Sequence, residues 1–273
     1  MSEPDPYLLG YRQAEQERLE RQAHELAHDS ERLFDQIGVR DGWRVVEIGC
    51  GPRGCLDLLS ERVGATGKVI GVERSAEHVQ RAQHFAVETH LTNVQVLQAD
   101  ARNTGLPERA FDLATARLVL VNVPEPEQLV AEMVRLIRPG GVVALDEPDA
   151  NTTRCDPPHP AQTRLLQVLN TYAEMNGIDR SIGLRVPRML REAGLADVRV
   201  NPVIHVFPPA HARRTLLLEL VENTRDRILD KGLIGEAELN ELTAALKRHL
   251  EDPGTLVISS VYIQAWGRTK ELG

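Results

Sequence analysis

Apolar positions along the chain fall into two periods, one near 3.6 residues and one of short β-branched runs, and their alternation predicts most of the architecture. Residues 11–37 place Leu19, Ala23, Leu26, Ser30, Leu33, Phe34 and Ile37 three and four apart among Glu, Gln and Arg, the stripe of an amphipathic helix or helix pair. Five strands are then expected at Val45–Ile48, Lys68–Glu73, Asn93–Gln98, Ala110–Ala116 and Val142–Asp146. Helices are expected between them over Cys55–Val63, from Ser75 or Ala76 through Leu91, and from Pro124-Glu125-Pro126 to Ile137. Strands separated by helices of this length read as parallel βαβ units. The second half predicts a helix over Ala161–Asn176, a short one over Val186–Ala193 ended by Gly194, and a strand over Val198–Phe207. Two more helices follow within residues 211–251, with Leu216, Leu217, Leu220, Val221, Ile228 and Leu229 on the first and Leu239, Leu242, Leu246 and Leu250 on the second. Thr255–Gly267 closes as a strand, and no repeat or low-complexity segment is present.

The candidate chemistry is concentrated where the first strand ends, at Val45-Val46-Glu47-Ile48-Gly49-Cys50-Gly51-Pro52-Arg53-Gly54. A strand running into a G-x-G-x-x-G turn and a helix is a nucleotide-binding corner, because Gly49 and Gly51 let the backbone turn sharply and approach a ligand. Glu47 narrows the choice. A carboxylate there would meet a pyrophosphate with the wrong sign, and the sulfonium and ammonium of S-adenosylmethionine (SAM) with the right one. Glu73, at the end of the second strand and some 20 residues beyond the glycines, is placed to accept from both ribose hydroxyls.

Glu47-x-Gly49-x-Gly51, followed by Gly71-Val72-Glu73-Arg74-Ser75, Gln98-Ala99-Asp100-Ala101, Phe111-Asp112-Leu113 and Leu136-Ile137-Arg138-Pro139-Gly140-Gly141, resembles the motif series of class I SAM-dependent methyltransferases. The flanks, including Tyr7-Leu8-Leu9-Gly10, resemble small-molecule methyltransferases of the ubiquinone/menaquinone-biosynthesis type. The resemblance implies a doubly wound, mostly parallel, seven-stranded Rossmann-like α/β sheet whose last strand is antiparallel. It implies SAM as cofactor, with Glu47, Gly49, Gly51, Glu73 and Arg74 in the donor site, Asp100 accepting from the adenine amino group and Ala101 offering its backbone amide. Arg117 falls where the methyl end of the donor should lie, and the methionine carboxylate, the substrate and a structural role are all open to it. Asn122 is either a polar group of the site or a cap of the next helix. About 45 residues separate the last two strands, so a helical lid from residues 1–40 and a cap insertion over 209–253 are expected around a core of 41–208 and 254–273. The implied reaction moves a methyl group by in-line displacement onto a small acceptor of secondary-metabolite or lipid-like kind. A non-catalytic SAM-binding protein, and less readily a NAD-dependent oxidoreductase, are the alternatives.

Two candidates for acceptor chemistry lie downstream. Asp146-Glu147-Pro148-Asp149 gathers three carboxylates expected to raise one another's pKa, so that one of them, with Glu147 the candidate, is expected either to act as a base or to hold an electron-poor transition state, the alternative being a solvated loop; His159, the nearest loop histidine, is the candidate general base. His24-Glu25-Leu26-Ala27-His28 spells the H-E-x-x-H zinc pattern, but the helical stripe centres on Leu26 and Ser30, which turns both histidines to solvent, so no metal is expected. Composition removes further classes. A net charge of −8 without a basic tract argues against nucleic acid, and the chain has no apolar run long enough for a membrane span. Three cysteines without a C-x-x-C pair suit free thiols in a cytoplasmic enzyme, and the sequence leaves room for a homodimer.

Overall fold

A computed structural model describes residues 13–271, so the Tyr7–Gly10 segment lies outside the described residues. The large sheet runs β3 (Val94–Gln98), β2 (Lys68–Glu73), β1 (Arg44–Ile48), β4 (Phe111–Arg117), β5 (Ile137–Asp149), β10 (Val261–Arg268), β7 (Ala196–Val203). The first five are parallel, and β10 lies antiparallel between β5 and β7. This is the doubly wound order expected, with the reversal between β1 and β4. Helices α3 (Leu56–Val63), α4 (Ala76–Glu88), α5 (Pro126–Leu136) and α7 (Val186–Glu192) cover its faces. Val46, Ile48, Leu129, Met133 and Leu145 belong to one core layer, and Val45, Leu56, Leu59, Leu113 and Trp266 to the other. Strands buried on both faces explain why their sequences are continuous β-branched runs rather than alternating ones.

β5 is longer than Val142–Asp146. Its pairing with β4 breaks between Phe111↔Ile137 and Leu113↔Val142, so the Arg138–Gly141 turn sits within the strand as an irregularity. At the other end β10 pairs with it as far as Val261↔Asp149, and that partner, distant in sequence, carries the acidic cluster into the sheet instead of a loop. The two strands expected at 198–207 and 255–267 each break into a pair. His205 and Ser259 exchange bonds there, His205 N donating to Ser259 Oγ and Ser259 N to the His205 carbonyl, both at 2.9 Å. Beyond that corner β8 (Val206–Phe207) and β9 (Leu256–Ile258) leave the large sheet. They join β6 (Arg154–Asp156), unforeseen in the sequence pattern, in a small antiparallel sheet with β9 in the middle.

That small sheet is the floor of the cap. Cys155, Phe207 and Val257 from it share a third apolar core with α6 (Pro160–Met175), α8 (Leu216–Asp230) and α9 (Glu236–Glu251). Helix α6, counted with the core by its sequence position, therefore packs as part of the cap. The N-terminal stripe divides at Leu26 into α1 (Gln13–Glu25) and α2 (Ala27–Ile37). Leu33, Phe34 and Ile37 of α2 are buried against the core beside Trp43. Helix α1 reaches the cap, where Asn223 Nδ2 donates to Glu15 Oε2 at 2.6 Å and Arg21 pairs with Glu219 at 2.7 Å, and it meets α4 through Gln16 and Glu77. Among the described residues no helix is long and apolar enough to cross a membrane.

The end of β5 is fixed by a 3₁₀ turn, Ile182–Leu184, laid directly on it. A Cβ at Gly183 would stand 2.5 Å from the Glu147 carbonyl oxygen and 2.8 Å from the Pro148 carbonyl carbon, both backbone atoms that cannot swing aside. Gly183→Ala should therefore destabilise the protein by about 1–3 kcal/mol, the usual cost of overpacking, and lower its melting temperature by several degrees. An unchanged melt would show that this turn yields.

Candidate active site

Glu47 leaves β1 buried, and both its oxygens accept from the Cys55 amide, at 2.8 and 3.0 Å, at the start of α3. The glycine turn is folded back over that carboxylate: a Cβ on Gly54 would come 2.5 Å from Glu47 Oε1. Burial pushes the Glu47 pKa up to about 7, against the pull of the neighbouring Arg117 guanidinium. Arg117, at the end of β4, donates to Ser30 Oγ at 2.8 Å and to the Gly54 carbonyl at 3.3 Å, so it ties α2, the glycine turn and β4 together while lining the same cavity.

Glu73 ends β2 with Oε2 accepting from Gly51 N at 3.0 Å and Oε1 from Ser75 N at 2.8 Å. Its carboxylate and the neighbouring Arg74 border the cavity. Gly49 and Gly51 hold φ of +66° and +58°, and a Cβ on Gly49 would stand 2.6 Å from Val119 Cγ2. At Gly51 the same atom would meet nothing within 4 Å, so the turn presents bare backbone to open space. Asp100 and Ala101 follow β3 into the same cavity. Arg102 grips the Asp100 carboxylate through Nε at 3.0 Å and Nη2 at 2.7 Å, and these bonds hold its pKa down to about 2.

The two acceptor-side candidates are placed elsewhere. Glu147 is fully buried and is not among the cavity-lining residues: Oε1 accepts from the amides of Val119 and Leu120 at 2.8 Å each, and Oε2 from Val121 at 3.1 Å. Its pKa is pushed up to about 8 chiefly by burial, with those amides opposing and Asp146 adding little. The mutual repulsion expected of the cluster is a minor contribution, because strand alternation and separate partners divide the carboxylates. Asp146 takes Gln264 Nε2 at 3.1 Å, while Asp149 takes Ser181 Oγ at 2.7 Å. His159 caps α6, its Nδ1 accepting from Ala161 N at 3.2 Å, and its ring packs on His249 with centroids 4.8 Å apart, away from the cavity lining. His24 and His28 are exposed, as the stripe implied. Among the described residues no three His, Cys, Asp or Glu side chains come together as a metal site.

Glu147 instead shapes the loop after β4. Leu118 takes φ +58°, rare for a branched residue, with its amide on the Asp146 carbonyl at 2.9 Å, and the next three amides close on Glu147. Asn122 does not cap α5; its Nδ2 returns to the Leu118 carbonyl at 2.9 Å. The loop thus presents Leu118, Val119 and Val121 to a cavity of about 320 Å³. From the glycine turn, Glu73 and Asp100 the cavity runs beneath α1 and into the cap, where Leu166, Phe207, Leu217, Leu220 and Tyr262 form its far wall. Sequence reasoning missed the arginines there, Arg18, Arg180, Arg213 and Arg214. The pair Arg213-Arg214 just after Pro208-Pro209, ahead of an apolar helix, was the signal available.

Residues 46–145 match the family model described as a methyltransferase domain. An uncharacterised 37.1 kDa protein in transposon Tn4556 of Streptomyces fradiae is 31% identical over 209 residues, which are 74% of this chain and 57% of that protein. Demethylmenaquinone methyltransferase of Geobacillus sp. (strain WCH70) is 31% identical over 113 residues, 41% of this chain and 48% of that enzyme. The chain thus spans about half the length of these curated relatives. Among solved structures, a SAM-dependent methyltransferase from Aquifex aeolicus shares the fold, with a TM-score of 0.52 at 22% identity over 76% of this chain and 93% of that one. Residues 46–145 thus carry a methyltransferase domain, set in a sheet of the fold found in the Aquifex aeolicus SAM-dependent methyltransferase.

Proposed function

We propose that this protein transfers the methyl group of SAM to a small molecule held beneath the cap. One observation carries the reading: a single cavity joins the glycine turn, Glu73 and Asp100 to the apolar and basic wall of the cap. The donor end fits the cofactor. Gly51 offers open space where a side chain would stand, Glu73 keeps lone pairs beyond the two amides it accepts for two neighbouring hydroxyls, and Ala101 borders the cavity beside Asp100. Glu47 and Arg117 stand side by side for the ammonium and carboxylate of its amino-acid end. When bound, SAM supplies an electrophilic methyl group next to a sulfonium.

The chain's own contribution is positioning and the exclusion of water. Glu147 holds the three amides of the loop that faces the cavity, so it acts as a positioning residue. The cap end of the lining, among the described residues, carries no carboxylate and no histidine. A nucleophile arriving there already ionised, or acidic enough to lose its proton to water, suits that wall. A compact acceptor with an apolar body, of secondary-metabolite or lipid-like kind, suits the leucines of α8.

Incubation with methyl-labelled SAM and a small-molecule extract should move label into the low-molecular-weight fraction and release S-adenosylhomocysteine; label that stays on SAM would leave the protein a binder. Glu73→Ala should weaken SAM binding at least tenfold, about 1.4 kcal/mol, as expected for a lost charge-assisted bond. Unchanged affinity by calorimetry would remove Glu73 from the donor site. For Glu147, whose folded pKa near 8 lies above the ordinary carboxyl value of 4.5, the folded protein holds a proton that the unfolded chain releases. The stability this contributes is complete below pH 4.5 and is lost as pH rises toward 8. Melting temperatures across pH 5–8 should therefore fall less steeply in Glu147→Gln than in the wild type, and parallel curves would contradict the assignment.

A further inference from the structure

Four arginines border the cap end of the cavity, and three of them have their counterparts inside the protein. Arg18 forks onto Glu15, Nε at 2.7 Å and Nη2 at 2.6 Å. Arg213 lies 3.6 Å from a Glu25 carboxylate oxygen and donates to Tyr262 Oη at 2.5 Å. Arg214 ties down backbone: its nitrogens donate to the carbonyls of Leu250, Phe207, Asp252 and Thr255 at 2.7, 2.9, 3.0 and 2.8 Å.

Arg180 differs from all three. It is only 9% exposed, it lines the cavity, and its one recorded side-chain bond is neutral, Nε to Asn170 Oδ1 at 3.0 Å. Among the described residues no carboxylate comes within ion-pairing distance of it; the nearby acids are engaged elsewhere, Asp179 with Arg185 and Asp149 with Ser181. Burial lowers its pKa to about 10 and no acid offsets that, yet the guanidinium stays charged at neutral pH. A buried cation without a counterion is costly to fold around, by several kcal/mol. Such an arrangement persists where a ligand supplies the missing charge.

Its place in the fold says which ligand. The Arg180 carbonyl accepts from Ala150 N at 2.9 Å, which fixes the residue to the end of β5, and Asn170 on α6 sets the angle of the guanidinium. Glu73 and Asp100 stand at the ends of β2 and β3, on the other side of β1 and β4 in the sheet. The cap contributes apolar side chains to the same lining, Leu166 of α6 and Leu217 and Leu220 of α8, beside Gln162. We propose that Arg180 is the specificity-determining residue of the acceptor pocket, and that the acceptor is a small apolar molecule bearing an oxyanion such as a carboxylate, seated on this guanidinium. The assignment deepens the methyltransferase reading and rests on it, because it takes the cap end of the cavity to be the acceptor chamber.

The test separates the two. Calorimetry with S-adenosylhomocysteine alone reports the donor site, and failure to bind it would sink the methyltransferase reading whatever Arg180 does. With S-adenosylhomocysteine saturating, 2-naphthoate and its neutral isostere 2-naphthamide are then titrated as probes. The wild type should prefer the carboxylate at least tenfold, the scale of a charge-assisted bond in a dry site. Arg180→Gln should abolish that preference and Arg180→Lys should keep part of it, both with S-adenosylhomocysteine affinity unchanged. That unchanged affinity also reports that each variant is folded. The wild-type comparison stands even if a variant does not fold: absence of a preference for the carboxylate, whether both probes bind or neither does, overturns the proposal. So does an equal loss of S-adenosylhomocysteine and 2-naphthoate affinity in Arg180→Gln, which would assign the residue to the donor.

Discussion

Along the carboxyl edge of the sheet, buried or half-buried carboxylates hold the backbone amides of turns around the cavity, and the cavity's shape depends on this arrangement. Glu47 fixes Cys55, Glu73 fixes Gly51 and Ser75, and Glu147 fixes Val119, Leu120 and Val121. The amides of a turn leaving a parallel strand have lost their ladder partners and need other acceptors. A carboxyl group satisfies one to three of them at once, each such bond contributing roughly 0.5–1.5 kcal/mol where the group is neutral and about 1.5–3 kcal/mol where it is ionised. The glycine turn and the loop after β4 thus meet face to face at Gly49 and Val119, two walls of one chamber held by acids from different strands.

Carboxylates used in this way are poor candidates for proton transfer. Glu147 has its pKa raised into the range of a general base, but that shift comes from being sealed off from solvent and from the cavity alike. A perturbed pKa marks an unusual environment, and geometry decides whether substrate can reach it. The same distinction applies to the arginines of the cap: Arg214 is buried, yet four of its five N–H donors are taken by carbonyls and it serves as a bolt between β8 and the end of α9.

The cap is an elaboration of the sheet's own last strands. At His205 and Ser259 the chain turns out of the large sheet on both legs of what would otherwise be a hairpin, and the two legs stay paired as β8 and β9 with β6 added alongside. The insertion between them is therefore anchored by backbone hydrogen bonds that continue the core. Helix α1 closes the chamber from the opposite end of the sequence, joined to α8 through Glu15 and Asn223 and to α4 through Gln16.

The strand-end half of the cavity was legible in the sequence because its residues are local: Gly49, Gly51, Glu47, Glu73 and Asp100 each sit at a strand end or in the turn after it, and the alternation of strands and helices brings strand ends to one edge. The same logic gave the parallel strands, the antiparallel last strand and the exposed face carrying His24 and His28. It failed where a side chain's partner lies far along the chain. No local pattern shows that Glu147 faces Val119–Val121 rather than a substrate, that His159 rests on His249, that β5 runs to Asp149 because β10 lies beside it, or that α6 belongs with α8 and α9. Arg180, whose guanidinium has no carboxylate partner among the described residues, is the clearest case, since charge compensation can be recognised only from neighbours in space. The sequence by itself determined which turns would gather at the strand ends; only the tertiary structure decided which of them line one cavity and which charged groups there find partners, because charge compensation is a property of distance in space.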